Sequence, residues 1–89
     1  MQTETVEIIN KLGLHARAAA KLVSTAGRFS SKVTLQQGSQ QADAKSIMAV
    51  MMLAASKGAT IEIRCEGADE QQALAALVEL IGDYFGEEE

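Results

Sequence analysis

Tryptophan and proline are absent from this 89-residue chain, and its aromatics are limited to one Tyr and two Phe. The core must therefore be assembled from Ala, Leu, Ile, Val and Met, which argues against a deep aromatic-lined ligand pocket. A lone cysteine, Cys65, has no partner for an intrachain disulfide and no second thiol for a metal site. Its place in an apolar alternation marks it as a small core residue. A lone histidine, His15, excludes a multi-histidine metal centre and puts any imidazole chemistry at that one position. We expect neither metal nor cofactor. The longest apolar run, Ile47 to Ala55, is far short of the ~20 residues that span a bilayer. The opening Met1-Gln2-Thr3-Glu4 lacks the basic and apolar regions of a secretory leader, so a cytoplasmic protein with no membrane insertion is expected.

What remains is an ordinary globular composition, 47% hydrophobic and 22% charged, at a length that supports one core over residues 1–89. The net charge of -4 is unevenly spread. Up to Ser46 there are six cations against three acids, whereas from Ile47 onward Lys57 and Arg64 face nine acids. A concentrated basic face of the kind nucleic acid requires is missing, and so are stacking aromatics, which disfavours an RNA-binding module. A local anion site in the basic first half is compatible with the balance.

Periodicity divides the chain into seven elements. Alternation over Thr3 to Ile9 predicts a strand with Val6 and Ile8 inward, and Asn10-Lys11-Leu12-Gly13 breaks it. Ala19, Leu22, Val23 and Ala26 recur at helical spacing from Ala16 toward a stop at Gly27, which leaves Leu14 or His15 at the helix entrance. Lys32 to Gln36 and Gln40 to Asp43 form a hairpin around Gln37-Gly38-Ser39. Ser46 caps a helix from Ile47 through Ala55 that Gly58 ends. Thr60 to Cys65 is the clearest strand, with Ile61, Ile63 and Cys65 on one face. Asp69 and Gln72 resemble a capping pair for a last helix striped by Leu74, Leu77, Val78 and Ile81, and residues 85–89 are expected to fray as an acidic tail. The order β-α-β-β-α-β-α, with strands polar on one face, predicts an open-faced α/β sandwich: a four-stranded antiparallel sheet covered on one side by three helices. Strand order stays open.

Two places carry chemistry. At the helix entrance His15 faces the unpaired amides near Ala16 and Arg17 and the positive end of the helix dipole, which favours neutral imidazole with a free ring nitrogen. Arg17 adds charge-assisted hydrogen bonds to any anion there, although a cation in a first helical turn is otherwise mildly disfavoured. A nucleophile beside an anion cradle points to a transferable phosphoryl group. The second place is the helix from Ile47, apolar around its circumference. At roughly 100° per residue Val50 and Leu53 share one side while Met48, Met51 and Met52 lie opposite, so one face stays exposed. A Met-bearing exposed face suits docking of several partners, or burial against a second copy.

These residues have a family likeness. Gly13-Leu14-His15-Ala16-Arg17 with Ala18-Ala19-Ala20, then Lys45-Ser46-Ile47-Met48 and Gly58 before the strand at Ile61, resemble the HPr phosphocarriers of the bacterial phosphoenolpyruvate-dependent phosphotransferase system. The likeness covers residues 2–85. It implies the open-faced sandwich, and a phosphoryl group accepted by Nδ1 of His15 from phosphorylated Enzyme I and passed to a histidine of an Enzyme IIA domain, in the sugar or the nitrogen-related branch. It further implies that Arg17 steadies the phosphoryl group and that Ala16, Ala20, Ser24, Ile47, Met48 and Met51 form the partner face. Ser46 matches the serine modified by an HPr kinase/phosphorylase. Such a chain is a monomeric shuttle with no turnover of its own; the competing expectation is a non-catalytic regulator acting through Ser46 and docking. Ala18 replaces the family's usual proline, which removes stiffening from the first turn, and Ser24 and Gly27 stand where cations are common.

Overall fold

The computed structural model describes residues 1–87. Strands β1 (Gln2–Glu7), β2 (Lys32–Gln37), β3 (Gln40–Asp43) and β4 (Thr60–Glu66) form one sheet in the order β1-β4-β2-β3. Every neighbouring pair is antiparallel. Helices α1 (Ala16–Ala26), α2 (Ile47–Met52) and α3 (Glu70–Gly82) pack on one face, so the expected open-faced sandwich is the fold. The order left open by the sequence is decided by β4, the most apolar strand, taking a central place: Leu35 pairs with Ile63 and Val33 with Cys65 across it. Ile61, Ile63 and Cys65 are buried on the helix side, while Glu62 and Arg64 form an ion pair at 2.5 Å on the open side. Burial pushes the Cys65 thiol pKa up, with Glu70 and Asp69 adding to the effect.

Alanines at positions 18, 19 and 26 let α1 approach the core closely, with Leu22 as its largest fully buried side chain. Burying a leucine of this kind contributes roughly 1.5 to 3 kcal/mol. Gly27 follows α1 with a right-handed φ of -67°, so it ends the helix without the left-handed conformation usual for a glycine stop.

Three expectations are corrected. Helix α2 ends at Met52 rather than running to Ala55. Leu53 and Ala54 donate to carbonyls three residues back, Ala54 turns to φ +51°, and the Ala55 carbonyl leaves the helix to accept the Leu14 amide at 2.9 Å. The left-handed turn at Ala54 ends the helix, and the bond from Leu14 gives the Ala55 carbonyl, which a helix ending there would leave unpaired, its partner. Asp69 does not form a capping pair with Gln72. Its carboxylate instead accepts from the Ser30 and Ser31 amides and the Ser31 hydroxyl, and these bonds, the hydroxyl's first, hold its pKa below the usual carboxylate value. Glu70, the first residue of α3, instead accepts the Gly67 amide of the preceding turn through Oε1 at 3.1 Å.

The third correction concerns the tail. Residues Tyr84 to Gly86 form a short left-handed turn, Phe85 is fully buried and Glu87 is hydrogen-bonded to the body of the domain. An aromatic ring is the largest apolar group available to a core so poor in aromatics, and its burial draws the backbone in. Glu88 and Glu89 lie outside the described residues.

Candidate functional site

The loop between β1 and α1 is shaped by two short-range devices. Asn10, fully buried, donates from Nδ2 to the Gly13 carbonyl at 2.8 Å, while its own carbonyl accepts the Gly13 amide at 3.2 Å. Gly13 has φ +65°, and a Cβ there would sit 2.5 Å from the Ala55 carbonyl oxygen, so only glycine fits. Leu14 is then buried beneath the loop, and His15 emerges as the N-cap of α1 with extended backbone.

The His15 carbonyl accepts the Ala19 amide at 2.8 Å, the first bond of the helix, so the amides of Ala16 and Arg17 have no intrahelical partner. The His15 side chain does not cap them. Its imidazole, with 24% of the side chain exposed, points Nε2 at Glu87 Oε2, 2.6 Å away. The other oxygen of Glu87 accepts from Asn10 Nδ2 at 3.1 Å, so one buried amide ties together the glycine turn and the carboxylate. Burial would raise the pKa of Glu87, but the hydrogen bonds from Asn10 and His15 and the charges of His15 and Lys21 outweigh it and hold the carboxyl below its usual value. Lys21 itself donates to the Phe85 carbonyl at 2.6 Å.

Of the expected site residues, Ala16, Arg17, Ala20 and Ser24 are exposed on α1, and Arg17 makes no hydrogen bond or ion pair with any described residue. Its guanidinium is available to an incoming anion. Helix α2 packs against α1 and presents Ile47, Met48 and Met51 at 40%, 68% and 40% exposure, with Met52 at 75%. Val50 and Leu53 are buried on the opposite side, so the Met face is the open one. Ser46 is half-buried and caps α2, its Oγ accepting the Ala49 amide at 3.3 Å; caps of this type contribute ~1 kcal/mol. The sequence reading missed four residues. Leu12, 67% exposed, adds an apolar side chain beside the glycine turn. Asn10, Phe85 and Glu87 also went unread. Asn10 sits in an evident turn and Phe85 is one of only two Phe, which were usable signals; nothing local distinguishes Glu87 from a solvated acid.

A family model described as the PTS HPr component phosphorylation site matches residues 2–83. The chain belongs to the HPr family. It is 52% identical to the phosphocarrier protein HPr of Neisseria meningitidis serogroup B over 89 residues, covering both chains completely. Among solved structures, HPr-C-His from Thermoanaerobacter tengcongensis superposes with a TM-score of 0.97 at 47% identity, again with complete coverage of both chains. An HPr dimer from the same organism has a TM-score of 0.79 at 47% identity, covering 98% of this chain and 100% of that one. The HPr likeness expected from the motifs around His15 and Ser46 is thus the chain's family. Among the described residues no helix is long and apolar enough to cross a membrane.

Proposed function

We propose that His15 carries the phosphoryl group of this phosphocarrier, accepting it from phosphorylated Enzyme I and passing it to a histidine of an Enzyme IIA domain in the cytoplasm. Membership of the HPr family makes the chain a phosphocarrier of the phosphotransferase system. The choice of residue rests above all on one observation. The only imidazole of the chain stands partly exposed at a helix entrance whose first amides have no intrahelical partner.

Phosphoryl transfer needs positioning and charge stabilisation more than covalent chemistry from the protein, so a small open site suffices when each partner contributes half of it. The Ala16 and Arg17 amides and the Arg17 guanidinium supply the donors on this side. The exposed face of Ile47, Met48 and Met51, with Ala16, Ala20 and Ser24, supplies the docking surface, open in a monomer. Flexible methionines accommodate a donor and an acceptor of different shape on the same patch. The Ser46 hydroxyl lies at the edge of that face, and a phosphate placed there by an HPr kinase/phosphorylase would set its charge against an acidic partner.

Incubation with phosphoenolpyruvate and Enzyme I should add one phosphoryl group, and peptide fragmentation should locate it on His15. Label on any other residue would sink the assignment. Arg17→Ala should slow single-turnover transfer by about tenfold or more, the worth of a charge-assisted hydrogen bond. Its melting temperature should stay unchanged because the side chain is exposed and makes no bond with any described residue. A wild-type transfer rate in that variant would remove Arg17 from the site.

A further inference from the structure

The contact between His15 and Glu87 joins residues 72 positions apart, and it is built rather than incidental. Three independent devices hold the carboxylate in place. Phe85 is fully buried; Lys21 on α1 donates to its carbonyl at 2.6 Å; and Asn10, itself fully buried, donates to Glu87 Oε1 at 3.1 Å. The backbone leading there is strained, because Tyr84 and Phe85 have φ of +56° and +55°. Left-handed conformation is unfavourable for a residue with a Cβ, and such strain persists only where the surroundings over-determine it.

A carboxylate only accepts hydrogen bonds, so the ring nitrogen 2.6 Å from Glu87 Oε2 must be the one bearing hydrogen. In neutral His15 the lone pair then resides on Nδ1. From this arrangement we infer that Glu87 is a positioning residue for phosphoryl transfer: through Nε2 it fixes the ring's orientation and tautomer, and it stabilises the positive charge the ring acquires. The inference rests on His15 being the phosphoryl acceptor.

The charge follows from the balance of the step. The step takes a donor of one chemical class, a phosphoimidazole protonated at its other nitrogen. The Nδ1 lone pair of His15 attacks phosphorus, a new N–P bond forms, and the donor's N–P bond breaks with its electron pair returning to the donor ring. No proton moves. The donor ring becomes neutral, and the His15 ring becomes a phosphoimidazolium that still carries hydrogen on Nε2. An ionised carboxylate against that hydrogen therefore stabilises the product, and in proportion the transition state, as a buried carboxylate does for the imidazolium of a serine protease. Lys21 is the cation acting on Glu87 from α1, and Asn10 the neutral donor from the loop.

The test uses the full chain with selectively 15N-labelled histidine, its ring read before phosphorylation and its transfer rate read on addition of Enzyme I and phosphoenolpyruvate. In the wild type the ring should show a single tautomer, hydrogen on Nε2 and an unprotonated Nδ1, with slow exchange of the Nε2 hydrogen. Glu87→Ala should give an averaged tautomer pair and a single-turnover rate lower by about tenfold, with KM for the donor unchanged. Loss of rate without a change in tautomer, or a wild-type rate, overturns the inference. Should Glu87→Ala lower the melting temperature, Glu87→Gln carries the test, since it keeps the volume and the Asn10 bond but not the charge. Slower transfer at unchanged KM then supports the role, and a wild-type rate defeats it. Wild-type protein that takes no label on His15 would defeat the acceptor assignment, whereas a labelled wild type with an indifferent Glu87→Ala would defeat Glu87 alone.

Discussion

His15→Ala is expected to abolish phosphoryl acceptance from Enzyme I, leaving label at background, while the domain stays folded. The chain holds no second histidine to substitute for the first. The imidazole is a partly exposed cap residue that makes no bond to the helix amides, so its removal leaves the packing of α1 intact. Losses at such surface positions stay below about 1 kcal/mol. Mass analysis after incubation with phosphoenolpyruvate and Enzyme I reads the first expectation, and a urea melt reads the second. Equal labelling of variant and wild type would refute the assignment. A variant that fails to fold would show instead that the ring is a structural element, contrary to its position.

The largest effect on stability is expected from Phe85→Ala. Its ring is completely buried and belongs to the same core cluster as Leu22 and Leu77. Truncating a buried phenylalanine costs about 3 to 5 kcal/mol through lost transfer free energy and the cavity left behind. In a domain of this size that lowers Tm by at least about 12 °C. The effect should be felt at the site as well. The ring is what holds the left-handed turn at Tyr84 and Phe85, and without it the backbone has reason to relax and carry Glu87 away from His15. Denaturant unfolding followed by circular dichroism measures the stability change. A loss under about 1 kcal/mol would mean that the segment after α3 is not part of the core.

Those two residues show how unequal the legibility of the chain was. His15 could be located from sequence because its signals are local: a strand ends, a glycine permits the turn, and an Ala-rich helical period begins. The exposed Met face of α2 was legible for the same reason, since helical geometry alone places Met48, Met51 and Met52 opposite Val50 and Leu53. Phe85 was misread as tail because what orders it lies elsewhere in the chain, on α1 and in the core beneath it. Asp69 was misread as a cap because its carboxylate met better donors, the amides and hydroxyl of Ser30 and Ser31, nearly 40 positions earlier. The last turn of α2 was lost because the chain turns left-handed at Ala54, which brings the Ala55 carbonyl to the Leu14 amide of the distant loop.

By itself the sequence determined the elements, the polar and apolar faces of the sheet, the helix entrance that presents the imidazole, and the family. Each depends on spacings of a few residues, where periodicity and glycine conformations act regardless of the rest of the chain. Tertiary structure alone decided the strand order, the early end of α2, the anchoring of Phe85 and the partner of His15. Each of these is a contest between groups far apart in sequence for the same donor, acceptor or buried volume, and its winner is set by proximity that exists only once the sheet and helices have assembled.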